Sequence, residues 1–398
     1  MPGLWIVCLI WAIVGQWGGS ALAADDFRPF LEALKELRYY DTVVDFLDRA
    51  AKDPRCPAEF KAVVDYEAGK ALLEYSKTTR DVAFRQQLRD EAATRLERFI
   101  QKNSKHPSAI DAYSLLGQMA IEDATLKIAQ SKEEGKSDDE RKTLLDEARK
   151  LIEKGRPHLE KFLQLSRDRV AEIRKKAATS TDRRVLDEKK EAENEYARAR
   201  LLIVGVDFAL AKTYTTDAKK RKDLLQQAYD EYGKVYETFG DNFVAGPIAR
   251  MYQGIVAAEL GKNDEAVAIF KETLTLPGNV PAYQQILNQA MVNLLEQYRA
   301  QKKYTEALEE VAKWEDAVPG DARSTPSGLE VYFLAGEIAL AYAKSIEKKD
   351  TDGARAAKGT ARKYFEFVSR FSGPRRLEAA ERLKGLVSVS ATGSEAPK

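Results

Sequence analysis

The sequence predicts an all-α solenoid of stacked helix pairs. Three observations carry that expectation. Residues 251–319 run twice through one pattern: Gly254, Ala266 and Phe270 correspond to Leu295, Ala307 and Val311, each 41 positions further on. Apolar residues recur at helical spacing almost throughout, with Pro and Gly gathered at the junctions. No stretch alternates apolar and polar residues as a strand would. Small side chains returning at a fixed period mark repeats that bury their faces on one another.

The amino terminus predicts export. Residues 4–14 form an unbroken apolar run of 11, followed by Gly15, Gly18, Gly19 and Ser20 and then Ala21-Leu22-Ala23. A short apolar core ending in an A-x-A site reads as a signal peptide, residues 1–23, although no Lys or Arg precedes the core. The run is shorter than the ~20 residues a membrane span needs, so no integral span is expected after cleavage. Cleavage would remove Trp5, Trp11, Trp17 and Cys8, leaving Trp314 and Cys56 each alone of its kind. A single cysteine has no intrachain disulfide partner. Cys8 lies inside the apolar core, which argues against a lipoprotein anchor, and no Asn starts an N-x-[ST] sequon. The expected location is the periplasm or extracellular space of a bacterium.

Charge excludes one class of partner. The chain has 64 Lys and Arg against 63 Asp and Glu, a net charge of +1. That balance leaves no electrostatic footprint for nucleic acid. Mixed charges at 32% of residues suit long solvated helix faces. Residues 24–387 exceed the ~250–300 residues at which a single core stops growing. A repeat array avoids that limit, because each unit packs on its neighbours. Residues 388–398 are expected to be a disordered tail.

In chain order, Phe30, Leu34, Tyr40, Val43, Leu47 and Ala50 form a degenerate opening unit. Ala92, Leu96 and Phe99 mark a second helix that ends by Pro107, and Tyr113, Leu116, Gly117 and Ala120 a first helix with Ala148 and Ile152 on its partner. Gly155 and Pro157 are expected to end one helix and begin another that runs to about Ala178. Thr179-Ser180-Thr181-Asp182 turns the chain into a helix of ~30 residues ending near Tyr214. Between Arg167 and Tyr196 the main apolar residues are Val170, Ile173, Val185 and Leu186. So few predict a charged helical hairpin at about 157–214 projecting into water, supported by Arg184–Glu188 and Lys189–Glu193 pairs. Ala228 and Tyr232 mark another second helix.

The clearest unit follows. Gly261-Lys262-Asn263-Asp264 supplies its turn, with Asp264 as the expected cap. Ala266, Phe270 and Leu274 share one face, and Pro277-Gly278 stops the helix. The next unit has Met291, Leu294, Leu295 and Tyr298, then Tyr304, Ala307, Val311 and Trp314, closing at Pro319. A third has Tyr332, Gly336 and Ala339, then Ala361 and Phe365, its helices separated by a charged insert over 344–358. Residues 375–386 read as a closing helix with a polar outer face.

These residues resemble the tetratricopeptide repeat (TPR) family, whose pattern is W-x2-L-G-x2-Y, then A-x3-F, then P. Leu294, Tyr298, Ala307 and Pro319 fit in the second copy, with Val311 replacing the aromatic. Gly254, Ala266 and Phe270 fit in the first, and Gly336 and Ala361 in the third. No unit has the leading Trp, and the period of 41 exceeds the family's ~34 by about two helical turns. The resemblance covers most of 27–375 and is strong over about 244–345. It implies a right-handed solenoid with elongated helices and a concave groove that binds a protein or peptide. Carrying the repeat frame over places Met251, Ile255, Asn293, Glu296, Phe333 and Glu337 in that groove. The cationic clamp of the chaperone-binding subset is not matched. A mixed apolar and acidic groove suits a peptide with apolar anchors and positive charge.

Reactive chemistry is sparse. His106 and His158 lack metal-ligand neighbours at helical spacing, and His158-Leu159-Glu160 matches a zinc-deaminase H-x-E without its P-C-x-x-C half. Both histidines read as solvated or capping residues. Arg55 beside Cys56 could lower the thiol pKa, though an incidental thiol is the plainer reading. Lys219-Lys220-Arg221-Lys222 could hold an anionic partner or simply open a solvated helix. There is no P-loop, dinucleotide fingerprint, H-E-x-x-H or G-x-S-x-G. The expectation is a non-enzymatic scaffold with no metal, cofactor or catalytic residue. The alternative is an all-helical (α/α) enzyme acting on cell-envelope or extracellular glycans, which needs paired carboxylates beside aromatic platforms.

Overall fold

A computed structural model describes residues 27–391, with side chains to Leu386. The expected signal peptide, residues 1–23, lies outside the described residues. The described chain is all-α: α1 (Phe27–Glu36), α2 (Tyr40–Lys52), α3 (Ala58–Thr78), α4 (Val82–Lys102), α5 (Ala109–Gln130), α6 (Asp138–Ala177), α7 (Arg183–Ala211), α8 (Ala218–Phe239), α9 (Ala245–Glu259), α10 (Asn263–Thr273), α11 (Pro281–Ala300), α12 (Tyr304–Ala317), a short α13 (Gly320–Arg323), α14 (Pro326–Ile346), α15 (Thr351–Ser369) and α16 (Arg376–Ala391). Apart from α13, consecutive helices pair from α1/α2 to α14/α15, and α16 closes the array. These are stacked helix pairs. The closing helix reaches Ala391, four residues into the expected tail, and 392–398 lie outside the described residues.

Two compact units are present. Residues up to Asp123 with Glu153–Leu165 form the first, and Ala124–Ile152 with residues from Ser166 onward form the second. Glycines set the helix spacing in the first unit. A Cβ on Gly69 would lie 2.8 Å from Leu96 Cγ, and one on Gly117 2.4 Å from Leu159 Cγ. Each first helix therefore accepts a branched side chain of its partner against bare backbone. Arg95 ties the pairs together with two hydrogen bonds to Asp48, at 2.6 and 2.9 Å.

Several expectations change in α6. Gly155 and Pro157 do not break it: the helix is continuous for 40 residues, with Pro157 inside. Interior proline costs ~3 kcal/mol. Leu159 and Phe162, buried to 0% and 1% exposure, return ~1.5–3 kcal/mol each. The start of α6 is fixed by a capping box in which Ser137 and Glu140 exchange hydrogen bonds.

The hairpin is formed by α6 and α7, and α7 matches the expected length at 29 residues. Asp182 caps α7 by accepting from the Arg184 amide at 2.9 Å. Beyond residue 165 the hairpin is held by a small seam of Val170, Ile173 and Ala192 with Val185 and Tyr196. Leu186 is exposed. Glu193 accepts from Arg174 Nε across the hairpin at 2.8 Å rather than from Lys189, and Arg169 reaches Glu195 at 3.0 Å.

The 41-residue frame is clearest in the backbone. After α9, Gly261 has φ +78°, its amide donates to Ala258 O and the Lys262 amide donates to Ala257 O. After α11, Lys302 has φ +58°, its amide donates to Arg299 O and the Lys303 amide donates to Tyr298 O. Both are Schellman turns, and corresponding atoms are 41 residues apart. Asp264 is not a cap: α10 starts at Asn263 with no side-chain cap, and Asp264 lies in its first turn.

The signature residues pack as expected. Ala266, Phe270, Leu294, Ala307, Val311 and Ala361 are fully buried, and Tyr298 is 5% exposed. A Cβ on Gly254 would come 2.7 Å from Phe270 Cε1, and one on Gly336 2.7 Å from Phe365 Cε1. In the middle pair the sizes are exchanged: Leu295 replaces the glycine, Val311 replaces the aromatic, and both remain fully buried. Core packing conserves volume across the pair rather than residue type at either position. Pro319 caps α13 just beyond α12. The extra length is unequal, because α9 has 15 residues and α11 has 20. No insert separates α14 from α15: both helices extend through the charged segment and turn at 347–350, sealed by Ala343, Ala354 and Ala357.

Candidate functional site

The face of the first helices in the second unit is built from α9 and α11. On α9, Ile248, Tyr252, Ile255 and Glu259 are half-buried at spacings of four, three and four, which makes one stripe. Met251 is not on it. It points inward, 5% exposed, and packs with Ile286 and Ala290. The sequence frame was off by one position there, and Tyr252 takes the place assigned to Met251. Its ring stacks on Tyr232 at 5.5 Å. Burial raises the pKa of Tyr252.

On α11, Gln285, Gln289 and Glu296 are exposed and Asn293 is half-buried. The Asn293 side chain donates to Gln289 O at 2.7 Å. These lie on the face opposite Leu287, Asn288, Leu294 and Leu295, which are buried. The buried Asn288 is structural. Its amide nitrogen donates to Ala322 O at 3.0 Å, and its oxygen accepts from Trp314 Nε1 at 3.1 Å.

On α14 the two expected groove residues are engaged. Phe333 is 6% exposed, edge-on to Phe365, with the Arg375 guanidinium 4.6 Å from its ring centre. Glu337 accepts from Arg382 Nε at 2.6 Å, and Glu330 takes two hydrogen bonds from Arg375 at 2.8 Å. The closing helix and the residue before it thus satisfy this end of the array. Of the six residues placed in the groove, Ile255, Asn293 and Glu296 keep accessible surface without a closing-helix partner. Ile248 and Tyr252 were missed, although their spacing to Ile255 was readable.

A second cleft, of about 170 Å³, lies on the first helices of the other unit, lined by Lys70, Leu73, Glu74 and Lys77 of α3 and Leu115, Gln118, Met119 and Glu122 of α5, with Arg89 of α4. Its charges are locally answered: Lys77 reaches Glu74 at 2.6 Å, and Arg89 reaches Asp123 at 2.8 Å. Burial nevertheless raises the Asp123 pKa.

The residues considered for chemistry sit in local contacts. Cys56 is buried and its pKa is raised by that burial. Arg55 does not activate it, because both of its hydrogen bonds go to Asp53. His158 is half-buried beside Tyr113 rather than solvated, and burial lowers its pKa. His106 Nδ1 caps the Ser108 amide at 3.1 Å. The basic cluster at 219–222 opens α8, capped by Asp217, and Arg221 pairs with Glu259. A cleft that does join Asp241, Glu272 and Tyr236 holds about 40 Å³, room for roughly one water. Arg250 binds Glu272 there through two nitrogens. No three-residue metal cluster occurs among the described residues. No described helix is long and apolar enough to cross a membrane.

No protein-family profile matches the chain, and no curated protein matches it. Among solved structures, the TPR domain of P58(IPK) is 13% identical, covering 94% of this chain and 100% of that one, with a TM-score of 0.18. Yeast Tom70 is 10% identical, covering 94% and 97%, with a TM-score of 0.21. Naa15/Naa10 bound to HypK-THB is 14% identical, covering 98% and 74%, with a TM-score of 0.24. The TPR-like description rests on the helix pairs and the Gly254–Phe270 and Gly336–Phe365 contacts described above.

Proposed function

We propose that this chain is an exported, non-enzymatic scaffold that holds a protein or peptide on the first-helix face of its repeats, in the periplasm or extracellular space of a bacterium. The carrying observation is the composition of α9 and α11. An apolar row, Ile248, Tyr252 and Ile255, runs along one helix, and Asn293 and Glu296 are accessible on the next first helix. Apolar anchors with adjacent basic residues on a partner segment would match both rows. Export is supported by the apolar run and A-x-A site within residues 1–23.

A photocrosslinker placed at Ile255 or Glu296 in the full-length chain, expressed in a bacterial host, tests the surface. Adducts to a discrete partner are expected from these positions and not from the exposed Glu309 on α12. Equal labelling from all three positions, or none, would refute the assignment. Export is tested separately: the product should fractionate with the envelope and begin at Ala24. A cytoplasmic product with an intact amino terminus would count against it.

A further inference from the structure

A cleft of about 480 Å³ lies away from the first-helix stripe, within the second unit. Lys302, Tyr304 and Thr305, from the α11–α12 turn and the start of α12, line one side. Ala341, Tyr342, Lys344 and Ser345, from the last turns of α14, line the other. Its volume is that of a small-ligand or side-chain pocket.

The lining is one-signed. Lys302 and Lys344 are exposed; Lys344 lies within electrostatic reach of Glu347, which Lys358 holds more closely. Three other lysines of this unit are answered: Lys271 and Lys313 share Glu310, each at 3.0 Å, and Lys358 holds Glu347 at 2.6 Å. The acidic neighbours of the cleft are also occupied. Glu347 is the partner of Lys358, and the Glu306 carboxylate takes the Thr305 hydroxyl at 2.9 Å. No carboxylate is among the described lining residues. The start of α12 has no side-chain cap from the preceding residue, although Glu306 in its first turn takes up part of the positive helix end. Tyr304 and Tyr342, with ring centres 6.4 Å apart, supply apolar area between the two amines.

Lys302 strengthens the case. It occupies the left-handed slot that the preceding repeat fills with Gly261. A non-glycine residue is strained in that backbone conformation. The side chain carries its amine to the cleft at the expense of the turn.

We infer that this cleft binds an acidic peptide segment bearing an aromatic or aliphatic side chain beside its carboxylates. The rings select an apolar body as well as a charge, which a bare anion lacks. The near-balanced charge of the whole chain, 64 against 63, argues against a polyanion such as nucleic acid.

The test is calorimetric titration of the full-length protein with the acetylated, amidated tetrapeptide Glu-Tyr-Asp-Glu. Lys302→Gly keeps the turn and removes the side chain with its amine, and should weaken binding about fivefold. Lys344→Glu should weaken it at least as much, and Tyr342→Ala about tenfold. Lys175→Glu, an exposed position on the hairpin, should leave it unchanged. No binding by the wild type, or unchanged binding by Lys302→Gly and Lys344→Glu, would overturn the assignment. So would inorganic phosphate binding as tightly with the same variant profile, or anionic phospholipid vesicles outcompeting the peptide. Loss of crosslinks at Ile255 with retained peptide binding would refute the proposed function and leave this site standing.

Discussion

Gly254→Ala and Gly359→Ala are the same chemical change in two helix interiors, and the structure predicts opposite signs. Replacing a mid-helix glycine by alanine stabilises by ~0.8–1 kcal/mol through backbone entropy. At Gly359 nothing lies within 4 Å of an added Cβ, so that gain should appear in full. At Gly254 the new methyl would sit 2.7 Å from Phe270 Cε1 and 2.9 Å from Ile269 Cγ2, well inside the ~3.5–4.0 Å optimum. Relieving that overlap costs ~1–3 kcal/mol, for a net loss of ~1 kcal/mol. The two variants should therefore separate by about 2 kcal/mol in urea unfolding followed by far-ultraviolet circular dichroism. Phe270→Val removes the colliding ring, as Val311 does opposite Leu295. Alone it should cost ~2–3 kcal/mol for the cavity, and combined with Gly254→Ala it should recover at least ~0.5–1 kcal/mol relative to the sum. If Gly254→Ala raised the midpoint as much as Gly359→Ala, or the cycle showed no coupling, the close approach of α9 and α10 would not be what sets this repeat.

Other perturbations test other links. Lys302→Gly should raise stability by ~0.5–1 kcal/mol and Gly261→Ala lower it by ~1–2 kcal/mol, since both residues are left-handed; equal signs in thermal melts would contradict the shared turn. Asn288→Ala should cost ~2–3 kcal/mol, because Trp314 Nε1 loses its acceptor and Ala322 O one of its donors inside the core; a neutral result would mean water replaces the side chain. Asp53 has its pKa lowered to about 2 by the Arg55 side chain and then its amide. The depressed carboxylate favours the folded state above its unfolded value of ~3.9, and that contribution disappears as pH falls through about 2. A carboxyl-carbon NMR titration should place Asp53 near that value in the wild type and higher in Arg55→Met, yet still below ~3.9 because the residue-55 amide remains; coincident curves would eliminate the side-chain pairing.

Much of the repeat was legible because its determinants are local. Gly254, Ala266 and Phe270 lie within 17 residues of one another, so helix periodicity alone brings them to one interface. The binding face was less legible. Met251 and Tyr252 are adjacent, and a helix turns ~100° per residue, so a one-position error exchanges core for surface. Phe333 and Glu337 read as groove residues because their partners, Arg375 and Arg382, are more than 40 positions away. No local pattern announces such pairing.

The sequence by itself determined the helical class, the 41-residue frame and the small-residue contacts, since these follow from spacing within one turn or one pair. Only tertiary structure decided that α6 runs through Pro157, that α16 occupies the end of α14, and that Lys302 and Lys344 face one cleft. Those outcomes depend on burial and charge contributed by segments distant in the chain, and their free energies override local propensity.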